Sequence, residues 1–330
     1  MEHVLLGQTG LKVSGLVFGT MSFGDVADEA TSAAMFNRCL DAGVNTFDCA
    51  DVYAGGRSEE ILGRLVKGRR DEVVIATKSY FPTGPDVNAR GSSRYHLRRA
   101  VEASLRRLDV DCIDLYYLHR FDPVTQLEET LRGLEDLVRQ GKILYPALSN
   151  FAAWQAQKAL GICRARGWAA PVCVQPMYNL CKRQAEVEIL PMAHSESVGV
   201  LPYGPLGGGL LSGKYAVNKR PSAGRIVENP MYGVRYKAAA NYEIAGRFTA
   251  LARETGHHPV SLAIAWVAAH PAVTAPIIGA RNLDQLGPCL AAAELALDPE
   301  LYDAVSALSP APPPATDRNE ESSDHNYGAR

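Results

Sequence analysis

Eight short apolar runs recur along the chain, and segments with helical spacing separate them. The runs are Leu16 to Phe18, Asn45 to Phe47, Val73 to Thr77, Ile113 to Leu118, Tyr145 to Leu148, Val172 to Gln175, Val198 to Leu201 and Ala275 to Ile278. Runs this short, without the polar alternation of a half-wet strand, read as strands buried on both faces. In Ser93 to Leu108 the intervening apolar stripe is Leu97, Val101, Leu105 and Leu108. In Thr125 to Gln140 it is Leu127, Leu131, Leu134 and Val138, with Thr125 and Glu128 spaced as a capping box and Gly141 as the stop. SEEILGRLV, shortly after Tyr53, supplies a shorter helix with acids in its first turn, where the helix dipole favours negative charge. Right-handed crossovers make such strands parallel and put the helices outside. Eight units therefore predict a closed (β/α)8 barrel of the α/β class.

A barrel core takes about 250 residues, so one domain over residues 1–330 accommodates the chain. VLLG and LKVSGL flank Gln8, Thr9 and Gly10 and predict a small hairpin ahead of the barrel. The remaining excess lies in long loops on the face of the strand carboxyl ends, the longest from Lys214 to Tyr236. PAPPPATDRNEESSD makes residues 309–330 a flexible tail. A net charge of −2 offers no basic field for nucleic acid or an anionic membrane. The arginines from Arg94 to Arg107 read as the solvated face of their helix. Seven scattered cysteines without CxxC spacing suit neither a disulfide framework nor a zinc site, and His257 and His258 lack further metal ligands at the right spacing. No stretch has the length of a membrane span and the first residues lack a signal-peptide pattern, so the expected location is a reduced cytoplasm.

Several of these runs end on groups that handle protons. NTFD stops at Asp48, VVIATK at Lys78 and IDLYYLH at His119, and Tyr53 follows Asp48 by one short loop. A core strand gains nothing from a charge at its tip, whereas the carboxyl-end face of a barrel gathers such groups into one site. Bringing a phenol from its usual pKa of about 10 to neutrality takes roughly 4 kcal/mol of phenolate stabilisation. One ammonium about 4 Å away, at an effective dielectric near 20, supplies about that much, and burial works the other way. The expectation is that Asp48 keeps Lys78 charged, Lys78 acidifies Tyr53, and His119 hydrogen-bonds a substrate oxygen.

At these residues the chain resembles the aldo-keto reductase superfamily of bacterial type, a group related to potassium-channel β subunits. FDCADVYAGGRSEEILG, VVIATK, IDLYYLH, SNF, VQPMYNL, PLGGGLLSGKY and IIGARNLDQL occur in family order across nearly the whole chain. The resemblance implies that Asp48, Tyr53, Lys78 and His119 form a catalytic tetrad and that NADPH/NADP+ binds without a Rossmann domain. It implies Ser149, Asn150 and Gln175 for the nicotinamide carboxamide and Tyr203 for stacking on the ring. The run Gly204, Pro205, Leu206, Gly207, Gly208 to Lys214 would hold the pyrophosphate, with Arg225 beside it. Gly279, Arg281 and Gln285 fall in the phosphate region after the last strand, where the Arg281 guanidinium matches a 2′-phosphate. Pro288 and Cys289 stand where the family often has an acid and an asparagine around adenine. Gly204 and Cys49 likewise replace a serine and a threonine. The departures imply weaker NADPH binding than in relatives with the full clamp, with NADPH still preferred over NADH.

Phe23, Tyr80, Phe81 and Phe121 lie just beyond strand ends and would line an apolar substrate cleft. The expected activity is reduction of aldehydes or ketones by direct hydride transfer, with Tyr53 protonating the oxygen. The same groups could run an alcohol or sugar dehydrogenase in the oxidative direction, or serve a cofactor-sensing regulatory subunit. The partner in either catalytic case is a small carbonyl or alcohol.

Overall fold

The chain doubles back at its start, where His3–Leu5 (β1) pairs antiparallel with Lys12–Ser14 (β2). Gly7 makes this possible at φ +54°, where a Cβ would lie 2.8 Å from the Ser197 carbonyl oxygen. The hairpin therefore sits hard against the base of the sheet, and Leu6 plugs it from below. The computed structural model describes residues 1–325.

Eight further strands follow: Val17–Gly19 (β3), Thr46–Asp48 (β4), Val74–Ser79 (β5), Ile113–Leu118 (β6), Ile143–Ser149 (β7), Cys173–Gln175 (β8), Gly199–Val200 (β9) and Ile277–Ile278 (β10). They pair in parallel in the order β10-β3-β4-β5-β6-β7-β8-β9. The ring closes through Thr274 N–H to Val200 O (2.9 Å), Ile277 N–H to Pro202 O (2.8 Å) and a bridge between Tyr203 and Ile277. Every run predicted as a strand is one.

Six helices cover the first part of the barrel: Glu29–Asp41 (α1), Arg57–Val66 (α2), Arg94–Leu108 (α3), Leu127–Arg139 (α4), Ala153–Arg166 (α5) and Ile189–Ser195 (α6). The long insertion carries two short ones, Arg225–Glu228 (α7) and Pro230–Arg235 (α8). After these come Ala239–Glu254 (α9), Pro259–Ala268 (α10), Leu283–Ala291 (α11) and Pro299–Ser306 (α12). His258 caps α10, its Nδ1 accepting from Val260 N–H. No helix among the described residues is long and apolar enough to cross a membrane.

Side chains of β5 and β6 alternate between two dry environments. Val74, Ala76, Leu115 and Tyr117 meet inside the barrel with Ala147, Cys173, Leu201 and Ala275. Ile75, Tyr116 and Leu118 point outward against the helices, among Leu62, Leu97, Val101 and Leu134. Two-sided burial explains the continuous apolar reading of these strands.

Three local expectations fail. The capping box at Thr125 does not form: the helix starts at Leu127, and the Thr125 hydroxyl donates to Asp122 Oδ2 at 2.7 Å instead. Asp122 also accepts from Ser92 and Val124 N–H, so it organises the preceding turn and captures the hydroxyl first. Leu137 rather than Val138 completes the buried stripe of α4. Arg107 leaves the solvated face of α3, its side chain only 25% exposed and its Nε bonded to Glu59, which is fully buried. Within the tail, Ser309 is buried and Asn319–Ser322 forms a single 3-10 turn. Residues 326–330 lie outside the described part.

Candidate active site

The parallel register sets Asp48 beside Ala76 and Lys78 beside Tyr117, so both charged side chains turn into the mouth of the barrel. Lys78 donates to both carboxylate oxygens of Asp48 and to Cys49 O at 2.6 Å. Its ammonium lies 3.4 Å from the Tyr53 hydroxyl and 5.1 Å from the centre of that ring. Tyr53 reaches this position because Ala54, Gly55 and Gly56 take φ values of 49°, 65° and 96° in succession. Ala54 accepts a left-handed conformation that costs a residue with a Cβ about 1–2 kcal/mol, which ties the turn to the placement of the phenol. His119 follows β6 and meets Tyr53 edge to face, with ring centres 6.0 Å apart. The four side chains expected to form one site do meet.

Their charges differ from the expectation at one point. Burial works against the Lys78 ammonium, but Asp48 and the neighbouring Tyr53 outweigh it and hold the lysine above its ordinary range. Burial lifts the Asp48 carboxyl, with Lys78 and Gln175 pulling it back. Tyr53 moves away from neutrality: burial pushes the phenol up to about 12, against the pull of Lys78 and with added repulsion from Asp48. Burial exceeds the pull of the ammonium, and that pull is itself weakened because both Asp48 oxygens sit on Lys78. Burial and then Lys78 hold His119 well below its usual value, so the imidazole is neutral, and its buried Nδ1 has no hydrogen-bond partner.

The residues assigned to a nicotinamide group cluster beside this tetrad. Ser149 and Gln175 are buried at the ends of β7 and β8, and the Gln175 amide donates to Asp48 at 3.2 and 3.3 Å. Asn150, held at φ 56°, donates to His119 O (2.9 Å) and accepts from the Tyr203 hydroxyl (2.8 Å). Gly204, Gly207 and Gly208 all have positive φ. A Cβ on Gly208 would lie 2.7 Å from the Tyr232 ring, while one on Gly204 would meet nothing. Pro205 is buried beneath this turn and Leu206 half-buried. Burial and then Arg281 hold Lys214 below the usual lysine value. Among the described residues Lys214 has no ion pair, whereas Arg281 reaches Glu228 at 3.0 Å. Two converging cations beside open glycine backbone suit a phosphate group. Gln285 is exposed and accepts from Arg281 N–H, and Gly279 is exposed at the end of β10. Arg225 lies over the Tyr232 ring at 5.4 Å. Where the resemblance implies an adenine clamp, Cys289 is buried with its thiol on Gln285 O, and Pro288 accepts at its carbonyl from Ser261.

The four aromatic candidates divide. Phe81 lies 4.9 Å from the His119 ring and Tyr80 5.4 Å from Phe81, both half-buried at the mouth. Phe121 stacks edgewise on Phe151 and lies 5.9 Å from Trp154, which is 61% exposed. Phe23 is a correction: it is fully buried against Phe18 and belongs to the outer core, because its loop folds back through Phe23 N–H to Thr20 O. Trp154 and Glu228 are absent from the expected set. Trp154 could have been found as an aromatic in the first helical turn after SNF; Glu228 carries no local signal and is brought to Arg281 only by the insertion.

Residues 15–310 match the profile described as the Aldo/keto reductase family. YrpG of Bacillus subtilis (strain 168), an uncharacterized oxidoreductase, is 38% identical over 324 residues, which span 94% of this chain and 97% of that protein. A probable voltage-gated potassium channel subunit beta of Oryza sativa subsp. japonica is 35% identical, over 96% of this chain and 99% of its own. Versiconal hemiacetal acetate reductase of Aspergillus parasiticus is 32% identical, over 91% of this chain and 94% of its own.

Proposed function

Since the chain belongs to the aldo/keto reductase family and is an oxidoreductase, we propose that it reduces aldehydes or ketones with NADPH, Tyr53 acting as the proton donor. The observation that carries this reading is the Tyr53 hydroxyl at the barrel mouth, 3.4 Å from Lys78, with the neutral His119 ring across from it. When bound, NADPH would supply the hydride that the carbonyl carbon receives. Tyr53 and His119 would receive the carbonyl oxygen between them, the imidazole donating a hydrogen bond and the phenol giving its proton as charge develops.

A phenol pushed up to about 12 is protonated near neutrality, the state a proton donor holds before the carbonyl is reduced. Ser149, Asn150 and Gln175 would orient the nicotinamide and Tyr203 would lie against its ring. Lys214 and Arg281 would take the phosphates, Arg281 favouring the extra phosphate of NADPH over NADH. Tyr80 and Phe81 would flank the substrate. A purely regulatory role asks nothing of a Tyr53–Lys78 contact, so the assembled tetrad supports an enzyme.

A panel of aldehydes and ketones followed by nicotinamide absorbance tests the reading. Tyr53→Phe is expected to lower turnover by about 10²-fold or more while NADPH titrates as in the wild type. Near-normal turnover in that variant would remove Tyr53 as the acid, and tighter binding of NADH than NADPH would remove the role given to Arg281.

A further inference from the structure

A second layer of buried polar groups lies outside the barrel, directly behind the catalytic strands. Glu59, fully buried in the first turn of α2, accepts from the Thr77 hydroxyl at 2.5 Å and from Arg107 Nε at 2.6 Å. Thr77 is the residue before Lys78. On its way to Glu59 the Arg107 side chain crosses the turn that carries Tyr53, so closely that a Cβ on Gly56 would lie 2.8 Å from Arg107 Cδ. Arg107 comes from α3, which has no other part in the site. One guanidinium thus presses on the end of the Tyr53 turn and, through one carboxylate, grips the strand of Lys78. The loop itself is fastened to that strand by Asp51 N–H to Lys78 O at 3.1 Å.

We propose that Arg107, acting through Glu59, is a positioning residue that holds Tyr53 in reach of Lys78. This rests on the reading of Tyr53 as proton donor. The Tyr53 turn contains three consecutive left-handed residues, one of them Ala54, and such a turn keeps its shape only where its surroundings enforce it. The Arg107 side chain provides a roof over Gly56, and the bond to Glu59 keeps that roof in place. Removing the guanidinium leaves the Glu59 carboxylate buried with Thr77 alone, and the turn is free to drift from Lys78.

Arg107→Ala is expected to lower kcat for carbonyl reduction by about 10- to 100-fold, the effect of an ångström-scale misplacement, with the carbonyl KM and the NADPH dissociation constant within about twofold. Because the Arg107 side chain is partly open to solvent, added ethylguanidinium should restore part of the lost kcat. Arg107→Lys keeps a donor for Glu59, should fold if the alanine variant does not, and should retain most of the turnover. Hydrogen exchange in both variants gives a readout free of turnover: amides of residues 50–57 should exchange faster in Arg107→Ala than in Arg107→Lys, with the rest of the barrel unchanged. Uniformly faster exchange, or a kcat within about twofold of wild type, would overturn the positioning role. If Tyr53→Phe abolishes turnover while Arg107→Ala keeps a kcat within about twofold of wild type, this inference alone fails. If the wild type reduces no carbonyl, or Tyr53→Phe stays active, the functional reading fails and the exchange pattern still decides whether Arg107 holds the turn.

Discussion

Asp48 and Asp51 are three residues apart, each 3% exposed, and they sit in opposite electrostatic worlds. Asp48 points into the barrel, where Lys78 meets both its oxygens and Gln175 adds a further donor. Asp51 points behind the sheet, where neither carboxylate oxygen has a hydrogen-bond partner. Burial, then the Glu59 carboxylate, push it up to about 7, with Arg107 and Lys78 only partly offsetting them. Equal burial with unequal partners separates a permanent ion pair from a carboxyl that changes charge near neutrality. Accessibility says little about a buried acid until its donors are counted.

Removing the ammonium makes the two acids alike and has the largest expected effect. Lys78→Met should destabilise the protein by about 3–5 kcal/mol near neutral pH, because it strands a buried carboxylate. Denaturant unfolding at pH 8 measures this, and a loss under about 1 kcal/mol would mean the pair contributes little to the fold.

The middle effect concerns Asp51. Its folded value is raised above that of the unfolded chain, so its stabilising contribution is fully present below about pH 4 and is lost as pH climbs through about 7. Asp51→Asn keeps the shape and discards the charge. It should therefore gain on the wild type as pH rises from 5 to 8.5, by on the order of 2–4 kcal/mol. An advantage that does not grow over this range would show that Asp51 titrates normally in the folded state. Gln175→Leu is the finest probe. Losing one amide donor at 3.2 Å from Asp48 should cost about 1 kcal/mol, visible as a small shift of the unfolding midpoint with an unchanged slope.

The strands and the tetrad were legible because both depend on local order. Runs buried on two faces lose their polar alternation, and a polar group at the end of such a run has to face the mouth, as Asp48, Lys78 and His119 do. Features set by partners far along the chain were not legible. Arg107 has the spacing of a solvated arginine, and only the packing of α2 beside α3 reveals that it turns toward Glu59. Phe23 lies beyond a strand end, as a cleft residue would, but a backbone bond in its own loop folds it into the core. Tyr53 departs from the expected acidity because the depth of its burial, which a sequence does not measure, outweighs the pull of Lys78. Thr125 had the right spacing for a cap and lost its hydroxyl to Asp122, a competition that a motif does not register.

The barrel is stitched most thinly where it closes: β9 and β10 contain two residues each, and a handful of backbone bonds joins their neighbours. Lys214 follows one side of that gap and Arg281 the other. Any anion gripped by both cations would rivet the gap shut, so its affinity would register as mechanical stiffness of the whole ring and raise the melting temperature. Heat resistance of this cylinder would then gauge how much phosphate surrounds it.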